Sequence, residues 1–323
     1  MPKQVIEVLS PFDSGEAVQR LKIDTLVRHK SDEFEFRSFG DAETPAAILI
    51  NSLNSHSVSI GAGSALFSSL EKKAKTAVIM LFVGDIFPGS MPVLREWSSL
   101  VDIFLVPTPE MKNFLSGFTD RRVECLIDPI DFQLQDSYAG RPHDGALKVV
   151  WFGYPEAYKR SMTEYEATLA RLHNANEIEY HIVTKNKFYG NMGWVTIHEY
   201  DPSHFVPLLQ SFDVCVASHM PFDFTVNTYF KSENKMILAV NRGLAVVATR
   251  TPAYERLLSS CGLDAFLFSS HAELVAALRR LQSWTERQNY LNRIQDYVLE
   301  NYRSTKMAED WGKLYRDARK CKA

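Results

Sequence analysis

Short runs that are apolar at every position recur along this chain, each followed by a stretch of helical spacing. Ala46–Ile50 (AAILI), Ala77–Val83 (AVIMLFV) and Ile103–Val106 (IFLV) are of this kind. A strand with one face in water alternates apolar and polar residues. A strand that is apolar throughout is covered on both faces, which is the habit of parallel sheets sandwiched between helices. Gln4–Leu9 opens the series, and Ser10 to Gly15 provides turn chemistry. Glu16–Arg28 then spaces Ala17, Leu21 and Leu26 as a helix does. Glu33–Phe39 alternates as a strand, Val123–Ile127 is a shorter one, and Gly63–Lys73 and Ser90–Leu100 carry helical patterns.

The pattern stops at Asp128–Gly145, a stretch rich in Asp, Pro and Gly without periodicity, and then starts again. Leu147–Phe152 (LKVVWF) is a strand ending at Gly153, and Ser161–His173 is a helix with Met162, Tyr165, Leu169 and Leu172 on its apolar side. Further strands are expected at Glu179–Thr184, Val195–His198, Asp213–Ala217, Leu244–Ala248 and Ala265–Phe268. Helices are expected near Phe205–Ser211, Glu233–Asn241, His271–Ser283, Thr285–Asn301 and Ser304–Ala323. A chain of 323 residues is natural for two such domains. The boundaries expected are 1–130 for the first, 131–146 for a linker, 147–300 for the second, and 301–323 for a helix packing back toward the first.

Composition narrows the class. Apolar residues make up 46% and charged residues 23%, and net charge is −3, which fits a globular protein and argues against a nucleic-acid partner. Cys125, Cys215, Cys261 and Cys321 lack metal-ligand or redox spacing, so free thiols in a reducing compartment are expected. The N-terminus lacks a secretory pattern, and no apolar run approaches the ~20 residues of a membrane span. The expected location is the cytoplasm, with the inner face of the membrane as a surface it can visit peripherally.

Doubly wound folds place ligands at the carboxyl ends of their strands. Asn51, Asn54 and His56 follow one apolar strand, and Gly84 and Asp85 another. Asp85 is the best acid of the first half, although an Asp there also suits a helix cap. In the second half, Lys159 and Arg160 stand just before the expected helix, where a phosphate would meet cations and the helix N-terminus together; a solvated basic pair is the alternative. The most informative stretch is Tyr229–Tyr254 (YFKSENKMILAVNRGLAVVATRTPAY). It contains the polar cluster Lys231, Ser232, Glu233, Asn234 and Lys235, an apolar helix stopped at Gly243, a strand, and a loop ending at Tyr254. A capped helix start with Ser232 as N-cap is the plain reading of the cluster. The aromatics Phe222, Phe224, Tyr229 and Phe230 just around it are core residues or a surface for a sugar ring or base.

Taken in order, WFGYPEAYKRS, WVTIHEYDPSHFVPLLQSFDVCVAS, KSENKMILAVNRGLAVVATRTPAY and NYRSTKMAEDWGKLY resemble the donor-binding half of the GT-B glycosyltransferases, in their retaining, nucleotide-sugar-dependent branch (family 4-like, group 1). That resemblance covers the second half well and the first in element order. It implies an α/β fold with two Rossmann-like domains, their parallel sheets facing each other across a cleft. The activity implied is transfer of a sugar from a nucleotide-sugar donor to a glycan or glycolipid hydroxyl, in surface polysaccharide or glycoconjugate synthesis. No cofactor and no metal are implied. Gly153, Tyr158, Lys159, Arg160, Lys231, Ser232, Glu233, Asn234, Lys235 and Tyr254 would lie on the donor side. Asp85 and His56 would be catalytic, and Asn54 and Asp13 would face the acceptor. Many retaining members carry two glutamates on the donor segment; here their places fall on Phe230 and Leu238. Three other classes fit the same pattern: a sugar-nucleotide epimerase or phosphorylase, a non-catalytic GT-B-like binding protein, and a two-lobed solute-binding protein.

Overall fold

The computed structural model describes residues 3–12, 16–52, 64–86, 90–132, 145–185, 192–219 and 226–322. They form two compact units. The first comprises Met1–Asp131, Thr225–Ser232 and Tyr302–Ala323; the second comprises Phe132–Phe224 and Glu233–Asn301. The polar cluster that the sequence presents as one motif is therefore divided, with Lys231 and Ser232 in one unit and Glu233, Asn234 and Lys235 in the other.

The first unit contains strands β1 (Gln4–Leu9), β2 (Phe34–Ser38), β3 (Ala47–Asn51), β4 (Val78–Phe82), β5 (Ile103–Val106) and β6 (Arg122–Cys125). They pair in parallel in the order β2-β1-β3-β4-β5-β6. Successive residues of a strand point to opposite faces, and both faces here are core. Ile48, Ile50, Ile79 and Leu81 pack on one side with Leu70, Leu94, Trp97 and Leu115. Ala47, Leu49, Val78 and Met80 pack on the other with Ile23 and Leu26, and with Met307, Ala308, Trp311 and Tyr315 of the helix Ser304–Lys322. In mid-β1 the fully buried Glu7 carboxylate accepts from the Gly40 and Ala42 N–H groups and from Lys73 at 2.8 Å.

The second unit contains β7 (Leu147–Phe152), β8 (Ile178–Thr184), β9 (Val195–Glu199), β10 (Val214–Ala217), β11 (Ala245–Thr249) and β12 (Leu267–Phe268). These are also all parallel, in the order β12-β11-β10-β7-β8-β9. The long helix Trp284–Asn301 buries Tyr290, Leu291, Ile294 and Val298.

Several expectations need correction. Ser161 ends a helix rather than starting one: Pro155–Ser161 is helical, with Tyr154 as N-cap and Pro155 at its first turn, the place where a ring-locked φ and a missing N–H do no harm. Three stretches expected as loop, or not marked as helix, are helical: Pro109–Ser116, Val226–Phe230 and Pro252–Ser260. Two of these announce themselves by Thr-Pro, with Thr108 and Thr251 capping through their hydroxyls.

A pH dependence is built into the β8–β9 edge. His181 Nδ1 lies 3.1 Å from His198 Nε2, and both rings pack on Phe212. Burial, then the neighbouring His198, lowers His181 from 6.5 to about 4; burial also lowers His198. The folded state thus holds His181 neutral where the unfolded chain would protonate it. Its contribution is complete above the unfolded value near 6.5 and is lost as pH falls from there toward 4. Thermal unfolding should show stability falling as pH drops from about 7 to about 4, by less than the whole shift would give because solvent screens the partly open pair. The slope should flatten in His181→Gln; an unchanged slope would refute the assignment.

Candidate functional site

The second sheet has a topological switch point between β7 and β10. From β7 the chain proceeds to β8 and β9 on one side; from β10 it proceeds to β11 and β12 on the other. Ligands of open α/β sheets bind at the carboxyl ends of the two strands that flank such a point. Those ends are Gly153 after β7, and Ser218 and His219 after β10.

This edge is tightly built. Trp151 Nε1 donates to Ser218 Oγ at 2.9 Å, and Ser218 Oγ lies 2.7 Å from Ser161 Oγ. The end of the helix Pro155–Ser161 is thereby pinned to the end of β10. Gly153 has φ +154°, and a Cβ there would come within 2.8 Å of the Trp151 ring and 2.9 Å of Lys235 Nζ. Glycine is needed because the rigid Trp151 ring blocks a side chain there and because φ lies in a region that side chains rarely adopt; the Lys235 ammonium, at the end of a flexible chain, fills the remaining space. That ammonium lies 4.6 Å from the Trp151 ring centroid and 5.8 Å from that of Phe152, within cation–π range.

Lys235 is placed by the helix Asn234–Asn241, which runs from the carboxyl edge of β10 back toward the start of β11. Its residues Met236 to Asn241 are buried, and Gly243, at φ +85°, stops it. The helix presents its positive end at the ligand edge, beside the Lys235 ammonium. Glu233 occupies the N-cap position without a side-chain cap bond, and its buried carboxylate lies 3.7 Å from Arg256. Ser232 is therefore not the cap. Leu238, one of the two places where the resemblance would put a glutamate, is buried apolar core.

His219 was not identified in the sequence, although it stands just past a strand end, the signal that drew attention to Asp85. Its N–H donates to Thr249 Oγ1 at 2.8 Å, and its ring stacks on Tyr254 with Nε2 3.1 Å from the Tyr254 hydroxyl. Tyr254 itself is fully buried, as is Tyr158 against Trp151. The expected donor contacts at these two tyrosines are corrected to core positions, and burial raises both phenols far above their ordinary range. Lys159 and Arg160 are exposed on the last turn of their helix, its negative end. The helix-N-terminus argument for phosphate at these residues falls with the corrected helix boundary.

The first unit gathers its own cluster. Residues 230, 231 and 232 lie across the carboxyl ends of three consecutive strands. Thr108 Oγ1, after β5, donates to the Phe230 carbonyl at 3.3 Å. Lys231 Nζ pairs with Asp85, after β4, at 2.5 Å. Ser232 Oγ donates to Asp128, after β6, at 2.9 Å. Asp128 also pairs with the buried Lys22, which burial lowers to about 7. The acid and the lysine that the sequence offered for separate roles are thus one ion pair, from positions 146 apart in the chain. Asp85 also lines a small depression with Ser52, Val83 and Ser90. At the β1/β3 switch point of this sheet, the buried Asn51 donates to Ser10 and Gln19, each at 3.1 Å. Asp13, Asn54 and His56 lie outside the described residues. Among the described residues no group of three or more His, Cys, Asp or Glu is arranged to hold a metal ion, and no helix is long and apolar enough to cross a membrane.

No protein-family model and no curated protein matches the chain by sequence. Solved structures match by fold. HepE from Anabaena, in complex with UDP and glucose, aligns with TM-score 0.66 at 12% identity over 97% of this chain and 99% of that one. TarM aligns with TM-score 0.59 at 14% identity, covering 83% of this chain and 54% of its own. The pneumococcal O-GlcNAc transferase GtfA, in complex with UDP and GlcNAc, aligns with TM-score 0.53 at 12% identity, covering 84% and 56%. The chain thus spans about half the length of TarM and GtfA. At these identities the likeness is one of fold, and the fold is α/β of the GT-B type.

Proposed function

We propose that the chain is a glycosyltransferase that moves a sugar from a UDP-sugar to a hydroxyl of a glycan or glycolipid acceptor. The observation that carries this reading is Lys235 held over Gly153 at the switch point of the second sheet, beside the positive end of its own helix. A nucleotide-sugar's diphosphate gains negative charge as the glycosidic bond breaks, so a fixed cation there stabilises the departing group. The GT-B fold, and the UDP named in the HepE and GtfA complexes, support the choice of donor. His219, oriented by Tyr254, is a hydrogen-bonding group for the donor at the same edge. In this reading the protein supplies the diphosphate's counter-charge through Lys235, so turnover is expected to survive chelation of metal ions. Surface polysaccharide or glycoconjugate synthesis, in the cytoplasm at the inner membrane face, is the setting this activity suits.

In the first unit, Asp85 is proposed to accept a hydrogen bond from the acceptor hydroxyl, with Lys231 fixing the carboxylate's orientation. Lys231→Ala and Asp85→Asn should each lower kcat about 10- to 100-fold while leaving UDP affinity within about twofold. Wild-type turnover in Asp85→Asn would remove Asp85 from the reaction. A change confined to UDP affinity in Lys231→Ala would move Lys231 to the donor.

The reading is tested by titrating UDP into the protein calorimetrically and measuring UDP release from a panel of UDP-sugars, with and without acceptor. UDP binding with acceptor-dependent release supports it. Binding without release would indicate a non-catalytic binding protein. Release with interconversion of the free sugar nucleotide would indicate an epimerase. Absence of UDP binding would end the donor assignment.

A further inference from the structure

Tyr229 is 58% exposed and Phe114 38%, large apolar exposures for the ligand edge of a sheet. They are bridged by the buried Phe230, whose ring centroid lies 5.1 Å from that of Phe114 and 5.5 Å from that of Tyr229. The group is held rigidly. The Phe230 carbonyl accepts from Thr108, which caps the helix bearing Phe114, and the next residue, Lys231, is pinned to Asp85. Two exposed rings thus flank the buried Phe230, one of them two residues from the Asp85–Lys231 pair.

We infer that Tyr229 and Phe114 form a stacking platform for the pyranose rings of an oligosaccharide, so that the acceptor is a sugar chain extending past the hydroxyl that reacts. This rests on the glycosyltransferase reading and narrows its acceptor. Aromatic faces suit the apolar faces of sugar rings while leaving the hydroxyls in water. The local charges favour a neutral glycan over an anionic membrane surface. Lys231 is paired with Asp85 and Lys112 with Glu124. Glu110 lies one turn before Phe114 on the same helix. A membrane-docking patch relies instead on an excess of unpaired Lys and Arg.

The test uses the whole chain without donor. Maltohexaose, cellohexaose and chitohexaose are titrated by saturation-transfer NMR, and vesicles of phosphatidylcholine with phosphatidylglycerol are sedimented with the protein. At least one hexasaccharide should bind. Tyr229→Ala should weaken it about fivefold to tenfold, and Tyr229→Trp should retain it. UDP affinity and melting temperature should not change in either variant. Failure of all three sugars, or equal binding by Tyr229→Ala, overturns the platform. Vesicle binding that is lost in Tyr229→Ala overturns it in favour of a membrane contact. Because sugar binding is measured without donor, loss of the donor reading by UDP titration leaves this outcome separately readable.

Discussion

Replacing Trp311 by alanine is expected to cost about 3–5 kcal/mol of stability, the usual toll for emptying a large aromatic site in a packed core. Trp311 has no exposed area. Its ring stacks on Tyr315 at 5.6 Å and meets Phe34 edge-on at 5.4 Å. Tyr315 in turn donates its hydroxyl to Gln4 at 2.5 Å. The helix carrying both residues therefore completes one face of the first sheet, with Ile6, Leu49 and Phe82 beneath it. Denaturant unfolding should show the loss, and Trp311→Phe should recover part of it. A cost below about 1 kcal/mol would mean that this helix is a surface addition rather than part of that core.

The second large effect is expected at Lys235. Lys235→Ala should weaken UDP about 10- to 100-fold, the scale of one charge-assisted contact to phosphate, with little change in melting temperature. Lys235→Arg should restore part of the affinity. Gly153→Ala is a companion test: its methyl would sit 2.9 Å from Lys235 Nζ and should displace the ammonium. It is expected to act in the same direction, and also to lower stability, because the methyl would meet the Trp151 ring at 2.8 Å; the part of the UDP effect that passes through the ammonium should be lost in the double variant with Lys235→Ala. Wild-type UDP affinity in Lys235→Ala would place the diphosphate elsewhere.

Much of the fold was legible because its strands are buried on both faces and so stand out as unbroken apolar runs. Gln4–Leu9, Ile103–Val106 and Leu147–Phe152 match the structure residue for residue. Short helices were harder. Pro252–Ser260 follows a strand directly, and its start is marked by Thr-Pro rather than by periodicity. The same mark preceded Pro109–Ser116. Candidate residues were found by their position past strand ends, but burial was not legible at that level. Tyr158 and Tyr254 sit at such positions and face inward. Lys231 and Lys235, four apart, look like partners on one helix face; the helix begins at Asn234, so the first precedes it and the second belongs to it. Which strand ends receive residues 230 to 232 depends on contacts over a hundred positions away, beyond any local pattern.

The first unit is discontinuous, and this sets the order in which it is made. Its sheet is complete in the chain by Asp131, yet Met307, Trp311 and Tyr315, which cover one face, come after residue 301. Residues 132 to 301 must be synthesised in between, a delay on the order of ten to thirty seconds at ordinary ribosome speeds. Through that interval the nascent first sheet carries an open apolar face formed by Phe34, Leu49 and Phe82. On the ribosome, the second unit has its own sheet before the helix that seals the first has been made.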